Sequence, residues 1–160
     1  AISIGRIKSA QDFFSKLGFK RINARKEVPL AIVYVAGLVA ISTVVGMVFY
    51  NIGLSEDMGR VSEVIKTIKP LEVLVIITVA SVVEEIFFRG FLQRKTNILF
   101  ASFVFSYFHI IYGSVAELVG TFFMGLVLGK EYSQTKSLFA PIVSPFLYNM
   151  ITVAILFGGI

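Results

Sequence analysis

The 160 residues include no cysteine, which excludes disulfides, thiolate nucleophiles and cysteine-ligated zinc. Histidine is almost as scarce. A single one, His109, cannot build a multi-histidine metal site, and neither a metal nor another cofactor is expected. The chain shows no internal repeat and no low-complexity tract. No secretory leader is expected in residues 1–27, because they intersperse their apolar side chains with charges and form no continuous apolar core. Nucleic acid is not among the expected partners.

What the chain has in abundance is apolar surface. Hydrophobic residues make up 56% of it and the mean hydropathy is +0.85, arranged in long runs. This pattern predicts an all-α protein: one polytopic transmembrane helical bundle with about five spans. The net charge of +5 is unevenly placed. Arg6, Lys8, Lys16, Lys20, Arg21, Arg25 and Lys26 face only Asp12 and Glu27 in residues 1–27, whereas cations and acids balance beyond them. Residues 1–27 therefore read as a basic amphipathic juxtamembrane segment, with Ile4, Ile7, Phe13, Phe14 and Leu17 on the face toward anionic membrane lipid. An organelle presequence is the competing reading, and a start on Ala1 rather than Met suggests trimming.

Residues 28–160 form the transmembrane domain. Its apolar segments run over about 28–50, with Pro29 in the first turn, then 71–93 opened by Pro70, 97–112, 115–129 and 138 to the end. Between the first two, Ser55 is placed to cap a short amphipathic helix carrying Val61, Val64, Ile65 and Ile68. Gly113 and Ser114 predict a tight turn, and Lys130–Lys136 a polar loop. With the basic N-terminus in the cytoplasm, Arg94–Lys95 and Lys130–Lys136 fall on that same side, as the positive-inside rule requires. The expectation is a multi-pass protein of the cell membrane, N-terminus in and C-terminus out.

Glu84 and Glu85 lie inside the second apolar segment. A charge at mid-bilayer costs about 2.5–3.5 kcal/mol on insertion scales, so two in succession indicate function. They point about 100° apart on a helix and cannot share one task. Glu85 and Arg89 stand at i,i+4 and can pair; Glu84 is then the free carboxylate, suited to general-base chemistry, unless the group is a salt-bridged patch for helix assembly. At about 1.5 Å per residue, Glu84 lies roughly 15 Å from Arg94, while His109 and Asn149 lie roughly 18 Å from Asn97 and Ser137. Glu117 reaches a similar level. Polar groups of four helices at one depth predict a shared buried site. His109 shares a helix face with Phe105 and can orient water or relay a proton. Asn149 offers an amide for an oxyanion or for an interhelical hydrogen bond. Glu117 is a second polar partner or a cap beside the Gly113–Ser114 turn.

Glu84-Glu85-x-x-x-Arg89, Phe105-x-x-x-His109 and Pro141-Ile142 followed six residues later by Asn149 resemble the motifs of the CAAX prenyl protease and bacteriocin-processing family, also called CPBP or abortive-infection. Gly125-Leu-Val-Leu-Gly129, Tyr132 and Ser137-Leu-Phe-Ala-Pro141-Ile142 extend the resemblance across about residues 71–150. It implies a metal-free intramembrane endopeptidase that uses a glutamate-activated water. Glu84 is then the base, His109 its partner at the water, and Asn149 an oxyanion donor, with Glu85 and Arg89 in support. The substrate it implies is a membrane-associated peptide, either a prenylated protein tail or a leader peptide. One position departs: the family's third motif has a histidine four residues before the asparagine, and Pro145 stands there. Losing one oxyanion donor costs about 2.7–4 kcal/mol. Ser144 and Tyr148 are the nearby hydrogen-bond donors. A catalytically impaired member acting as a membrane scaffold, regulator or immunity protein is the alternative, and a proton-coupled carrier a third reading.

Overall fold

The computed structural model describes Ser9, Ser15, Gly18, Phe19 and residues 23–158, so most of the basic amphipathic segment expected over residues 1–27 lies outside the described residues. The described chain is all-α, with six helices. These are α1 (Ala24–Asn51), α2 (Ser55–Lys66), α3 (Pro70–Glu85), α4 (Ile98–Phe108), α5 (Val115–Thr135) and α6 (Phe139–Gly158). The rod of α3 continues as a π-helical segment, Ile86–Leu92, and ends in the short α-helical turn Gln93–Lys95. A 3-10 turn, His109–Tyr112, extends α4.

Local chemistry sets the helix boundaries. Pro70 occupies the first turn of α3, where its missing N–H is no loss. Asn97 caps α4 by accepting from the Phe100 N–H at 2.8 Å. Gly113, at φ 63°, supplies the left-handed turn that the sequence places before Ser114. α1 begins at Ala24, ahead of Pro29, because the Glu27 carboxylate reaches back to the Asn23 N–H at 2.9 Å. Ser55 is not the cap of α2. Leu54 holds that position without a side-chain bond, and its N–H is taken by the Phe49 carbonyl.

The expected loop Lys130–Lys136 is helical as far as Thr135. Glu131, 0% exposed, turns inward and accepts the Ser144 hydroxyl at 2.8 Å, so α5 continues through residues that look loop-like by composition. α5 is the spine of the bundle: α1, α4 and α6 pack along it, α3 packs on α6, and α2 crosses the end at which α5 begins. Gly125 and Gly129 let neighbours close on that spine. A Cβ at Gly125 would lie 3.0 Å from the Ser102 backbone on α4, and one at Gly129 2.8 Å from the Ile98 side chain.

The distribution of polarity is inverted relative to a water-soluble protein. Arg89, Glu85, Glu131 and Ser144 are fully buried, while Leu71 is 73% and Ile111 82% exposed. α1 and α6 are long and apolar enough to cross a membrane, and Ile98–Tyr112 is apolar but shorter. The five apolar segments thus appear as five helical stretches, two of which meet both length and hydropathy requirements. α3 stops being α-helical at Ile86, and α5 carries Glu117, Lys130 and Glu131.

Candidate active site

A cavity of about 230 Å³ opens among α1, α2, α3, α4, α5 and α6. At about 30 Å³ per molecule, it has room for several waters. Glu84 enters its wall from α3, His109 from the end of α4, Glu117 from α5, and Pro145, Tyr148 and Asn149 from α6. Leu38, Val45, Met124 and Leu128 supply most of the remaining wall, interrupted by the hydroxyl residues Ser42, Ser114 and Thr121. The sequence-derived residues Glu84, His109, Asn149 and Glu117 therefore share one space.

Glu85 turns away from that space. Its Oε1 meets Arg89 Nη1 at 3.1 Å, with both side chains buried. The guanidinium also lies 4.7 Å from the Phe105 ring centroid, which ties the pair to α4. Its Nη2 donates to the Gly125 carbonyl at 3.4 Å, and Gln93 Nε2 donates to the Gly129 carbonyl at 2.8 Å. Arg89 and Gln93 thus dock on α5 at two successive glycines, each four residues on. The intervening π segment, with its i→i+5 bonding, changes the angular register of these side chains relative to Glu84.

His109 has a defined orientation. Its Nδ1 contacts the Phe105 carbonyl at 2.9 Å, and since a carbonyl only accepts, Nδ1 carries the proton. In the neutral ring Nε2 then keeps its lone pair. The Phe105 ring, with its centroid 4.7 Å away, supports the imidazole from the side.

The mouth of α5 is braced from α2. Asp57 Oδ2 accepts from the Ser114 hydroxyl at 2.9 Å and the Ala116 N–H at 2.8 Å, while Oδ1 accepts from the Val115 N–H at 3.1 Å. The Ala116 N–H, followed by Val115, Ser114 and the charge of Arg60, holds the Asp57 carboxyl below its ordinary value of 3.8, against opposing desolvation. Arg60 Nη1 donates to the Gly113 carbonyl beside it.

Two polar partners were not found by sequence reasoning: Glu131 and Asp57. Both bond to groups on distant segments, and no local spacing announces them. Ser144 also differs from its expected role. Its hydroxyl is engaged with Glu131 and lies near the Ala31 carbonyl at 3.4 Å, and it does not line the cavity. Tyr148 does line it.

An all-α chain with an apolar exterior and an interior cavity walled by carboxyls, imidazole and amide belongs to the class of helical membrane proteins with a buried polar site. Residues 66–151, just over half the chain, match the family described as type II CAAX prenyl endopeptidase Rce1-like, and the chain belongs to that family of membrane proteases. No curated protein and no solved structure matches the chain.

Proposed function

We propose that this protein is an intramembrane endopeptidase in which Glu84 activates water for attack on a peptide carbonyl. The observation that carries the reading is the convergence of Glu84, His109 and Asn149, from three helices, on one cavity. Glu84 takes a proton from water, and His109 Nε2 orients that water from the adjoining wall. The Asn149 amide donates to the carbonyl oxygen as it gains charge. Glu84 then passes its proton to the leaving nitrogen. Glu85 and Arg89 hold the helix that presents Glu84.

The substrate is a membrane-associated peptide, in keeping with the family: a prenylated C-terminal tail or a leader peptide. The chain sits in the cell membrane with five spans and a cytoplasmic N-terminus, so that Arg94, Lys95, Lys130 and Lys136 share the cytoplasmic side. Membrane lipid is its surrounding partner.

The test is cleavage of a quenched peptide, bearing either tail, by the purified protein in liposomes. Glu84→Ala and His109→Ala abolish cleavage, and Pro145→His raises it by restoring a donor. Wild-type protein inert toward both peptides would remove the reading.

A second reading is favoured by Pro145, which lines the cavity where the family has histidine. In it the protein is a catalytically impaired scaffold, regulator or immunity factor. A biological phenotype that persists in Glu84→Ala selects it.

A further inference from the structure

Ser114-Val-Ala-Glu117 spells a capping box, in which the glutamate would fold back onto the N–H of the capping serine. The structure uses the serine and not the glutamate side chain. Ser114 Oγ accepts from the Glu117 N–H at 3.0 Å, and Asp57 of α2 satisfies the Ser114 hydroxyl and the Val115 and Ala116 N–H groups. Freed from capping, the Glu117 side chain lines the cavity. Among the described residues, no cation pairs with it and no donor bonds to its carboxyl. Tyr148 and Asn149, neighbours on α6, line the same cavity. Glu117 thus shares the cavity with His109 of the second motif segment and Asn149 of the third.

A bare carboxylate is costly against apolar walls; the neutral acid is not, and it can donate a hydrogen bond. Carboxylic acids kept neutral by an apolar site serve as oxyanion donors elsewhere in enzymology. Pro145, in the same wall, has no donor to offer. The adjacent Ser144 hydroxyl is already given to Glu131.

We infer that Glu117 is a catalytic residue which, as the neutral acid, donates a hydrogen bond to the reacting carbonyl oxygen opposite Asn149, supplying the donor that Pro145 cannot. The inference rests on the endopeptidase reading above. Water gives its proton to Glu84 and the resulting hydroxide adds to the carbonyl carbon. The C=O π pair moves onto oxygen, where the Glu117 O–H and the Asn149 N–H hold it. That pair returns as the C–N bond breaks, and the Glu84 proton goes to the leaving nitrogen. Glu117 keeps its own proton throughout.

The experiment measures kcat and KM for the full chain in liposomes, with a quenched peptide ending in a farnesylated C-a-a-X tail and a quenched leader peptide. Glu117→Ala lowers kcat by about a hundredfold with little change in KM, the size of a lost oxyanion donor. Glu117→Gln, whose amide also donates, loses less than tenfold. Thermal unfolding of each variant accompanies the kinetics, and Glu117→Met, which fills the space but cannot donate, takes the place of the alanine variant if that one does not fold. Full activity in Glu117→Ala, with Glu84→Ala inert, overturns this inference and leaves the endopeptidase reading intact. A glutamine variant as inactive as the alanine variant, though folded, also overturns it, because a negative charge and not a donor would then be needed. A wild-type protein inert toward both peptides overturns the endopeptidase reading, and this inference with it.

Discussion

The Ser144 hydroxyl donates to Glu131 Oε1 at 2.8 Å, joining α6 to α5 one residue before the proline that lines the cavity. Both side chains are fully buried, and the bond holds the helix that carries Pro145 and Asn149 against the spine of the bundle.

Ser144→Ala is expected to lower stability by about 1–3 kcal/mol, because Glu131 Oε1 loses its donor in a place water does not reach. Thermal unfolding in detergent measures the loss. A midpoint equal to wild type would show that the bond contributes nothing to holding α6.

Asp57 gives a pH-dependent brace. Its folded-state value lies below 3.8, so its contribution is fully present above that pH and disappears as pH falls through the lowered folded value. Amide exchange at Val115 and Ala116 should therefore be slow at neutral pH in wild type and faster in Asp57→Asn. At pH values below the folded value the two proteins should converge. Equal exchange at neutral pH would remove Asp57 from the capping of α5.

Gly125→Ala places a Cβ 2.9 Å from the Ser102 Cβ and 3.0 Å from its Cα. Because the obstacle includes backbone, α4 must move away from α5, at about 1–3 kcal/mol. Arg89 Nη2, bonded to the Gly125 carbonyl, should be displaced as well. Reduced thermal stability together with reduced cleavage in the assay above is the expected pair of effects.

Much of the cavity lining was legible in the sequence because spacing is local and depth along a helix can be counted. Glu85 and Arg89 advertise their pairing by a spacing of four, and counting the rise of each helix predicts a common level for Glu84, His109 and Asn149, which line one cavity. The remainder depended on contacts that no spacing encodes. Glu131 sits in Lys-Glu-Tyr-Ser-Gln-Thr-Lys, a run with loop composition, and only its partner on α6 makes it an interior residue. Asp57 looks like a first-turn acid of α2, yet its acceptors serve α5. The π segment left no trace in composition, since Ile86–Leu92 is as apolar as an ordinary span. Two helices rather than five meet the length and hydropathy requirements for two separate reasons: α3 and Ile98–Tyr112 are apolar but short, whereas α5 is long enough but carries Glu117, Lys130 and Glu131.

The brace from α2 also bears on the order of assembly. The Val115 N–H and Asp57 stand 58 residues apart in the chain, while Glu131 and Ser144 are separated by only 13. Closing the longer loop carries the larger entropic cost. The α5–α6 pair can therefore form early from its neighbouring segments, whereas the first turn of α5 waits for α2 to arrive. On this entropic ground, refolding of the full chain is expected to make the wall that presents Glu117 among the last parts of the cavity to become rigid.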